Sequence, residues 1–176
     1  MWSPVNPHSF FQRKNYPKRV TVWCDFTATF ILPPYFFTDI VNTERYRDLL
    51  MNFVIPELQA RNVLQRITFQ QNGAPPHVAT IVKECLRTAF NEAHLIGRHF
   101  TPPKSPDLAP PEYWLWGLLR GIVYPRNPKN IEQLREFIRE EVSRIDVRDF
   151  RKALNNLPHL LKAVQHEEGG HFENYF

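Results

Sequence analysis

The chain has 176 residues, 43% of them hydrophobic and 14% aromatic, which suits one globular domain with a substantial core. Twenty-two Lys and Arg against eighteen Asp and Glu leave a net charge of +4, and the pI near 9.2 describes a mildly basic surface that can lie against phosphate backbones without being diagnostic of it. The two cysteines, Cys24 and Cys85, are far apart and form no CxxC pair, excluding a disulfide scaffold and a zinc knuckle and suggesting free, buried thiols; no cleavable apolar leader or 18-residue apolar run is seen, so a soluble, non-secreted protein is expected.

Residues 1–18 carry Pro4, Pro7 and Pro17 and a basic patch that includes Arg13, Lys14 and Lys18, with no sustained period, and read as an entry loop. VTVWCDFT, from Val20, and FILPPYFF, from Phe30, are β-branched and aromatic and are joined by the short link Ala28–Thr29, predicting an antiparallel pair of strands. Pro33 and Pro34 remove ladder donors, which places the second strand at an edge or gives it a bulge. Asn42 or Thr43 caps a helix with Tyr46, Leu49, Leu50, Phe53 and Leu58 on one stripe, and Pro56 is expected to kink it. A short strand over Ile67–Gln71 runs into Asn72, the turn Gly73–Pro76 follows, and a helix is predicted from about His77 to Phe90. Leu95–Gly97 reads as one more strand.

His99–Pro111 contains five prolines and must be a loop, ending on a helix that carries Glu112. The C-terminal third is helical. Asn130 with Gln133 gives a start resembling a capping box, Ile131, Leu134, Ile138, Val142 and Ile145 form a face, and charges from Glu132 to Arg144 form a solvated side. A further helix from Val147, broken at Pro158, continues to about Glu167, with Gly169 and Gly170 as a stop. The predicted fold class is α/β, a mixed sheet flanked by helices.

Two ordered motifs, TFQQNGAPPHVAT from Thr68 and SPDLAPPEYWLWG from Ser105, stand at a consistent interval, with VTVWC and PYFF before them and GGH at Gly169–His171 after them. Together they make residues from about Trp2 to His171 resemble the catalytic domain of Tc1/mariner-type transposases of the DDE superfamily. The resemblance implies an RNase H-like sheet, a role in DNA transposition and integration in the nucleus, and three acidic residues holding two Mg²⁺ or Mn²⁺ ions.

On this resemblance Glu112 matches the third acid, and the second acidic position is held by Asn72, a neutral amide. The first acid would lie on a strand upstream of VTVWC, which implies an N-terminally truncated domain lacking its central strand and the helix-turn-helix modules that find transposon ends. Metal binding by Glu112 and Asn72 is therefore expected to be weak, and the chain catalytically inactive. Arg98, Lys104, Arg120, Arg126 and Lys129 flank the position of Glu112 and are the candidate contacts for nonspecific DNA binding. The alternative is a transposase-derived module that binds nucleic acid or protein without catalysis.

Asp25, at the end of the strand expected to pair with the absent one, is a candidate surrogate acid, within about 10 Å of the vacant position if two strand spacings separate them. With Glu112 and a deamidated Asn72 it would make a competent nuclease. Asp107 fits a turn-fixing role, and His8 and His77 lack partners at zinc-like spacing. No nucleophile elbow or glycine-rich phosphate loop exists. No small-molecule cofactor and no membrane partner is expected. The unpaired edges left by an absent central strand invite dimerisation or repair by residues 8–13.

Overall fold

The structure, a computed structural model, describes residues 19–97 and 111–155, apart from the side chain of Tyr113. Strand β1 (Val22–Trp23) pairs antiparallel with β2 (Tyr35–Phe36), Val22 standing opposite Phe36 and Trp23 opposite Tyr35. The link between them is a tight turn in which the Thr27 N–H donates to the Phe30 carbonyl at 2.8 Å and the Thr27 hydroxyl oxygen accepts from the Phe30 N–H at 3.1 Å. A bridge between Phe26 and Ile31 closes its base. Pro33 and Pro34 fall between that bridge and β2, where they interrupt the ladder, and β2 has β1 as its one described partner, in keeping with the edge position their missing donors require.

Because strand side chains alternate, β1 feeds two cores. Trp23 packs edge-on against Phe53, with ring centroids 6.4 Å apart. Cys24 and Phe26 point the other way, Phe26 stacking on Phe150 at 5.4 Å and meeting Trp114 at 5.2 Å. Three layers result, with helices on both faces of the strands.

The first face holds α1 (Thr43–Leu49), a π-helical turn (Leu50–Val54) and α2 (Ile55–Ala60). Asn42 caps α1 by accepting from the Arg45 N–H at 2.9 Å, and Tyr46, Leu49, Leu50 and Leu58 are buried as expected, whereas Phe53 is only partly buried and Val54 is buried beside it. The expected kink at Pro56 is replaced by the widened turn just before it. Proline has no N–H to close an α-turn, and the Ile55 N–H reaches back five residues to the Leu50 carbonyl, which lets the helix run on past the ring.

Strand β3 (Phe69–Gln70) lies parallel to β4 (Leu95–Ile96), with Phe69 opposite Leu95. The single helix expected from His77 is instead two pieces, α3 (Pro75–Val78) and α4 (Thr80–Ala89). Pro75 and Pro76 suit a first helical turn, so the helix starts earlier than expected, and extended backbone at Ala79 separates it from α4.

A second π-helical turn (Pro111–Leu115) leads into α5 (Trp116–Val123). After a 3₁₀ turn (Tyr124–Arg126), Asn127 in the left-handed region, φ 51°, ends the run. Helix α6 (Ile131–Arg144) is capped by Asn130, which accepts from the Gln133 N–H at 2.7 Å; the Gln133 side chain returns to the Lys129 N–H, one residue earlier than in a standard capping box. Leu134, Ile138 and Val142 are buried as expected, but Ile131, the first residue of the helix, is 40% exposed and Ile145, past its end, is only partly buried. Helix α7 (Val147–Asn155) buries Phe150 and Ala153.

Of the charges on α6, Glu140 and Glu141 bind Arg126 from the preceding turn at 2.7 and 2.8 Å, so that side is partly tied down and not wholly solvated. Cys24 is a buried thiol that donates to the Leu32 carbonyl at 3.3 Å, whereas Cys85 on α4 is only half-buried, packed at the margin of the first core. The entry loop 1–18, most of the proline-rich loop, the continuation to Glu167 with its glycine stop, and Asp107 lie outside the described residues.

The sheet has the predicted mixture of antiparallel and parallel pairing, but divided: among the described residues it forms two separate pairs, β1 with β2 and β3 with β4. No described strand lies between β1 and β3. No described helix is long and apolar enough to cross a membrane.

Candidate functional site

A cavity of about 370 Å³ fills the seam between the two strand pairs, and Asp25, Asn72, His77 and Glu112 all line it. Three segments distant in sequence are thereby brought to one hollow. Asn72 reaches it because β3 ends two residues earlier, and its side chain is fixed by its own turn: Oδ1 accepts from the Ala74 N–H at 3.1 Å. The other end of that amide, Nδ2, donates to Glu112 Oε1 at 3.3 Å. Glu112 is held there by the π-helical turn before α5, and its side chain is solvent-exposed. The contact joins the two motifs across 40 residues.

Asp25 stands at the end of β1, where the sequence puts it, and accepts from the Phe26 N–H at 2.8 Å. Although partly exposed, its carboxyl is set deep in the seam, and burial pushes it up to about 7 against the opposing effect of that hydrogen bond. Burial thus favours its neutral, protonated form.

The floor of the cavity is a polar cluster that sequence reasoning missed. Tyr46 stacks on His77 with centroids 4.0 Å apart, its hydroxyl donates to Gln71 Oε1 at 3.0 Å, and Gln71 Nε2 donates to the His77 carbonyl at 2.9 Å. Burial lowers His77 to about 4, so the imidazole is neutral at pH 7, and the same burial pushes the Tyr46 hydroxyl up. Gln71 is the one buried polar residue in the described core. A polar residue ending an otherwise core-facing strand was the available signal; Tyr46 had been absorbed into the apolar stripe of α1.

Of the expected basic contacts, Arg120 is exposed and borders a second hollow of about 360 Å³ that shares Val22, Glu112 and Trp116 with the first. Lys129 is exposed. Arg126 is engaged elsewhere: besides Glu140 and Glu141 it lies 3.6 Å over the Phe137 ring. Arg98, Lys104 and His8 lie outside the described residues.

A pair of hard divalent cations requires several anionic oxygens. Here Glu112 supplies one carboxylate, the only oxygen of the Asn72 side chain already accepts from Ala74, and burial disfavours the anionic form of Asp25. Among the described residues no group of three His, Cys, Asp or Glu side chains could hold a metal ion. The residues present do not fit a two-ion site.

An α/β/α arrangement with this seam, bringing one acid and one strand-end amide together, has the layout of an RNase H-like fold. Among solved structures the chain superimposes on the catalytic domain of Mos1 mariner transposase with a TM-score of 0.71 and 23% identity, covering 89% of this chain and 78% of that one. The same domain with Raltegravir and Mg gives 0.70 and 21%, over 88% and 77%. The Mos1 paired-end complex with Mn gives 0.76 and 21%, over 97% of this chain and 51% of that chain. The fold is therefore that of a mariner transposase catalytic domain, the fold class the sequence predicts. No family model matches the sequence, and no curated protein does.

Proposed function

We propose that this chain is a Tc1/mariner-type transposase-derived domain that associates with DNA and does not cut it. The observation that carries this reading is the bond from Asn72 Nδ2 to Glu112. A carboxylate at position 72 would face Glu112 with negative charge and call for a cation between them; the amide meets Glu112 with an N–H and removes that need. The Mg and Mn named for the Mos1 structures support divalent chemistry in proteins of this fold. In this chain the weakened donor set at Glu112 and Asn72 keeps the phosphodiester intact.

Retained DNA contact is favoured by Arg120, exposed at the hollow that Glu112 also lines, and by the exposed Lys129, with Arg98 and Lys104 as further basic residues of the sequence. The Mos1 complexes hold transposon ends, which supports a nuclear role on DNA for this domain too. Incubation of the chain with supercoiled plasmid and Mn²⁺ is expected to leave the plasmid unnicked. Fluorescence anisotropy on a duplex is expected to show affinity falling roughly 40- to 150-fold between 50 and 200 mM salt, for three or four neutralised phosphates. Nicking by the unmodified chain rejects the inactive reading. Absence of any salt-sensitive binding rejects the DNA role and leaves the protein-interaction module.

A further inference from the structure

Strand β2 has one edge bonded to β1 and, among the described residues, an outer edge with no neighbour. In an antiparallel pair, residues alternate between bonding the partner strand and facing away from it. The Phe37 N–H donates to the Thr21 carbonyl at 3.0 Å, one residue past the point where Phe36 stands opposite Val22. Phe36 is therefore at a non-bonded position, with its N–H and C=O directed away from β1. Pro33 and Pro34 blunt the N-terminal half of this edge, which leaves the half from Phe36 onward able to pair.

Two cations are held over that half. Arg135 and Arg139, one turn apart on α6, both lie over the Phe36 ring, their guanidinium carbons 5.7 and 4.7 Å from its centre. The ion pairs of this helix are made elsewhere: Glu140 and Glu141 hold Arg126, and Glu141 also holds Arg144. Among the described residues neither Arg135 nor Arg139 has an ion-pair partner, although Glu132 and Glu136 are three residues before them, and Arg135 Nε is buried without an acceptor. Each guanidinium gains from the negative face of the ring, but the two repel each other, and an anion bound by both would offset that repulsion. Phe36, Arg135 and Arg139 line neither hollow beside Glu112, so this cluster is distinct from the seam.

Spacing narrows the occupant. Helix residues four apart have Cβ atoms roughly 6 Å apart, and alternate residues of a strand, which share a face, are separated by roughly 7 Å. An extended peptide lying along β2 with acids at alternate positions thus presents both carboxylates to the Arg135 and Arg139 flank while its backbone bonds the outward groups of Phe36. The phosphates of a nucleic acid can meet the cations but cannot complete a strand ladder, so the open edge favours a protein partner.

We propose that the outer edge of β2, with Arg135 and Arg139 above it, docks an acidic segment of another protein as an added strand with its acids at alternate positions. This interaction is independent of DNA binding beside Glu112.

Fluorescence anisotropy of the full chain with two labelled peptides of the same composition tests it, one with glutamate alternating with valine and one with its glutamates adjacent. The alternating peptide is expected to bind roughly 10-fold more tightly, because adjacent acids point to opposite faces and only one can meet the arginines. Arg139→Glu, at an exposed position, is expected to abolish the preference, and Arg135→Ala to weaken the alternating peptide roughly 10-fold. N-methylation of the glutamate amides or of the valine amides, whichever set faces β2, is expected to prevent binding. Equal affinity for the two peptides, no binding of either at millimolar concentration, or a preference that survives Arg139→Glu overturns the proposal. Binding that survives both patterns of N-methylation overturns the added strand. If Arg139→Glu weakens binding to a DNA duplex and leaves peptide binding unchanged, the pair is a phosphate contact and the protein partner is rejected.

Discussion

Replacing Asn72 by Asp asks the candidate site what its amide is for. The parent has an N–H donated to Glu112 Oε1 at 3.3 Å; the variant has two carboxylate oxygens at about that separation. Two unit charges so placed repel by about 1 kcal/mol in a water-like medium and by about 5 kcal/mol at an effective dielectric constant of 20. Glu112 is exposed, so the lower part of that range applies, and a loss of about 1–2 kcal/mol is expected, or roughly 2–8 °C in Tm for a domain of this size. The penalty needs both groups ionised, so it grows as pH rises through the carboxylate range and disappears in acid. Mg²⁺ should reverse it in the variant, because a cation between the two carboxylates replaces the lost N–H. Thermal melts of parent and Asn72→Asp in EDTA and in 10 mM Mg²⁺, with calorimetric titration of the ion, measure all of this. If the variant is as stable as the parent in EDTA, or if the parent gains as much from Mg²⁺ as the variant does, the reading of this pair is wrong.

Asp25 makes stability depend on pH in the opposite sense to a salt-bridged acid. Its carboxyl is raised from 3.8 to about 7, so the stability it contributes is full below its unfolded value and is lost as pH rises through about 7. A shift of about three units corresponds to about 4 kcal/mol, and partial exposure reduces this to about 2; Asp25→Asn should recover that amount at pH 8.5 and nothing at pH 4, by urea melts. Arg126→Ala should cost about 1–2 kcal/mol by losing Glu140, Glu141 and the Phe137 face, while leaving the salt slope of DNA binding unchanged; Arg120→Ala should leave the melt alone and lower that slope by about one. Tyr46→Phe should destabilise by about 1–3 kcal/mol, because the buried Gln71 Oε1 loses its donor; a melt matching the parent's would show that water replaces the hydroxyl.

What the sequence disclosed was set by how local the cause was. The Asn42 and Asn130 caps, the Ala28–Thr29 turn and the stripe from Tyr46 to Leu58 depend on neighbours within a few residues, and they stand where pattern and propensity put them. The kink expected at Pro56 is replaced because a helix can absorb a missing N–H by widening one turn upstream, here over Leu50–Val54. Glu112 and Asn72 were legible as a pair only through their motifs; that the amide turns its nitrogen to Glu112 and its oxygen to Ala74 is a tertiary fact. The Tyr46–Gln71–His77 cluster had no sequence signature, since stacking and burial bring together residues whose separate patterns say helix stripe, strand end and turn. The gap between the strand pairs was expected from the absence of a central strand upstream of VTVWC, and the described strands form two separate pairs.

The π-helical turn over Pro111–Leu115 separates two angular settings along one segment. Near its start Glu112 addresses the seam, and from Leu115 onward Leu119 and Val123 address the core formed with α6 and α7. An α-helix advances about 100° per residue, so deleting one residue from this wide turn would swing the carboxylate about a quarter of a revolution or more off the pocket while the downstream stripe kept its phase. Short insertions and deletions at this spot can thus retune or silence the acid without disturbing the hydrophobic register behind it, giving such a domain a route to new roles that leaves its architecture intact.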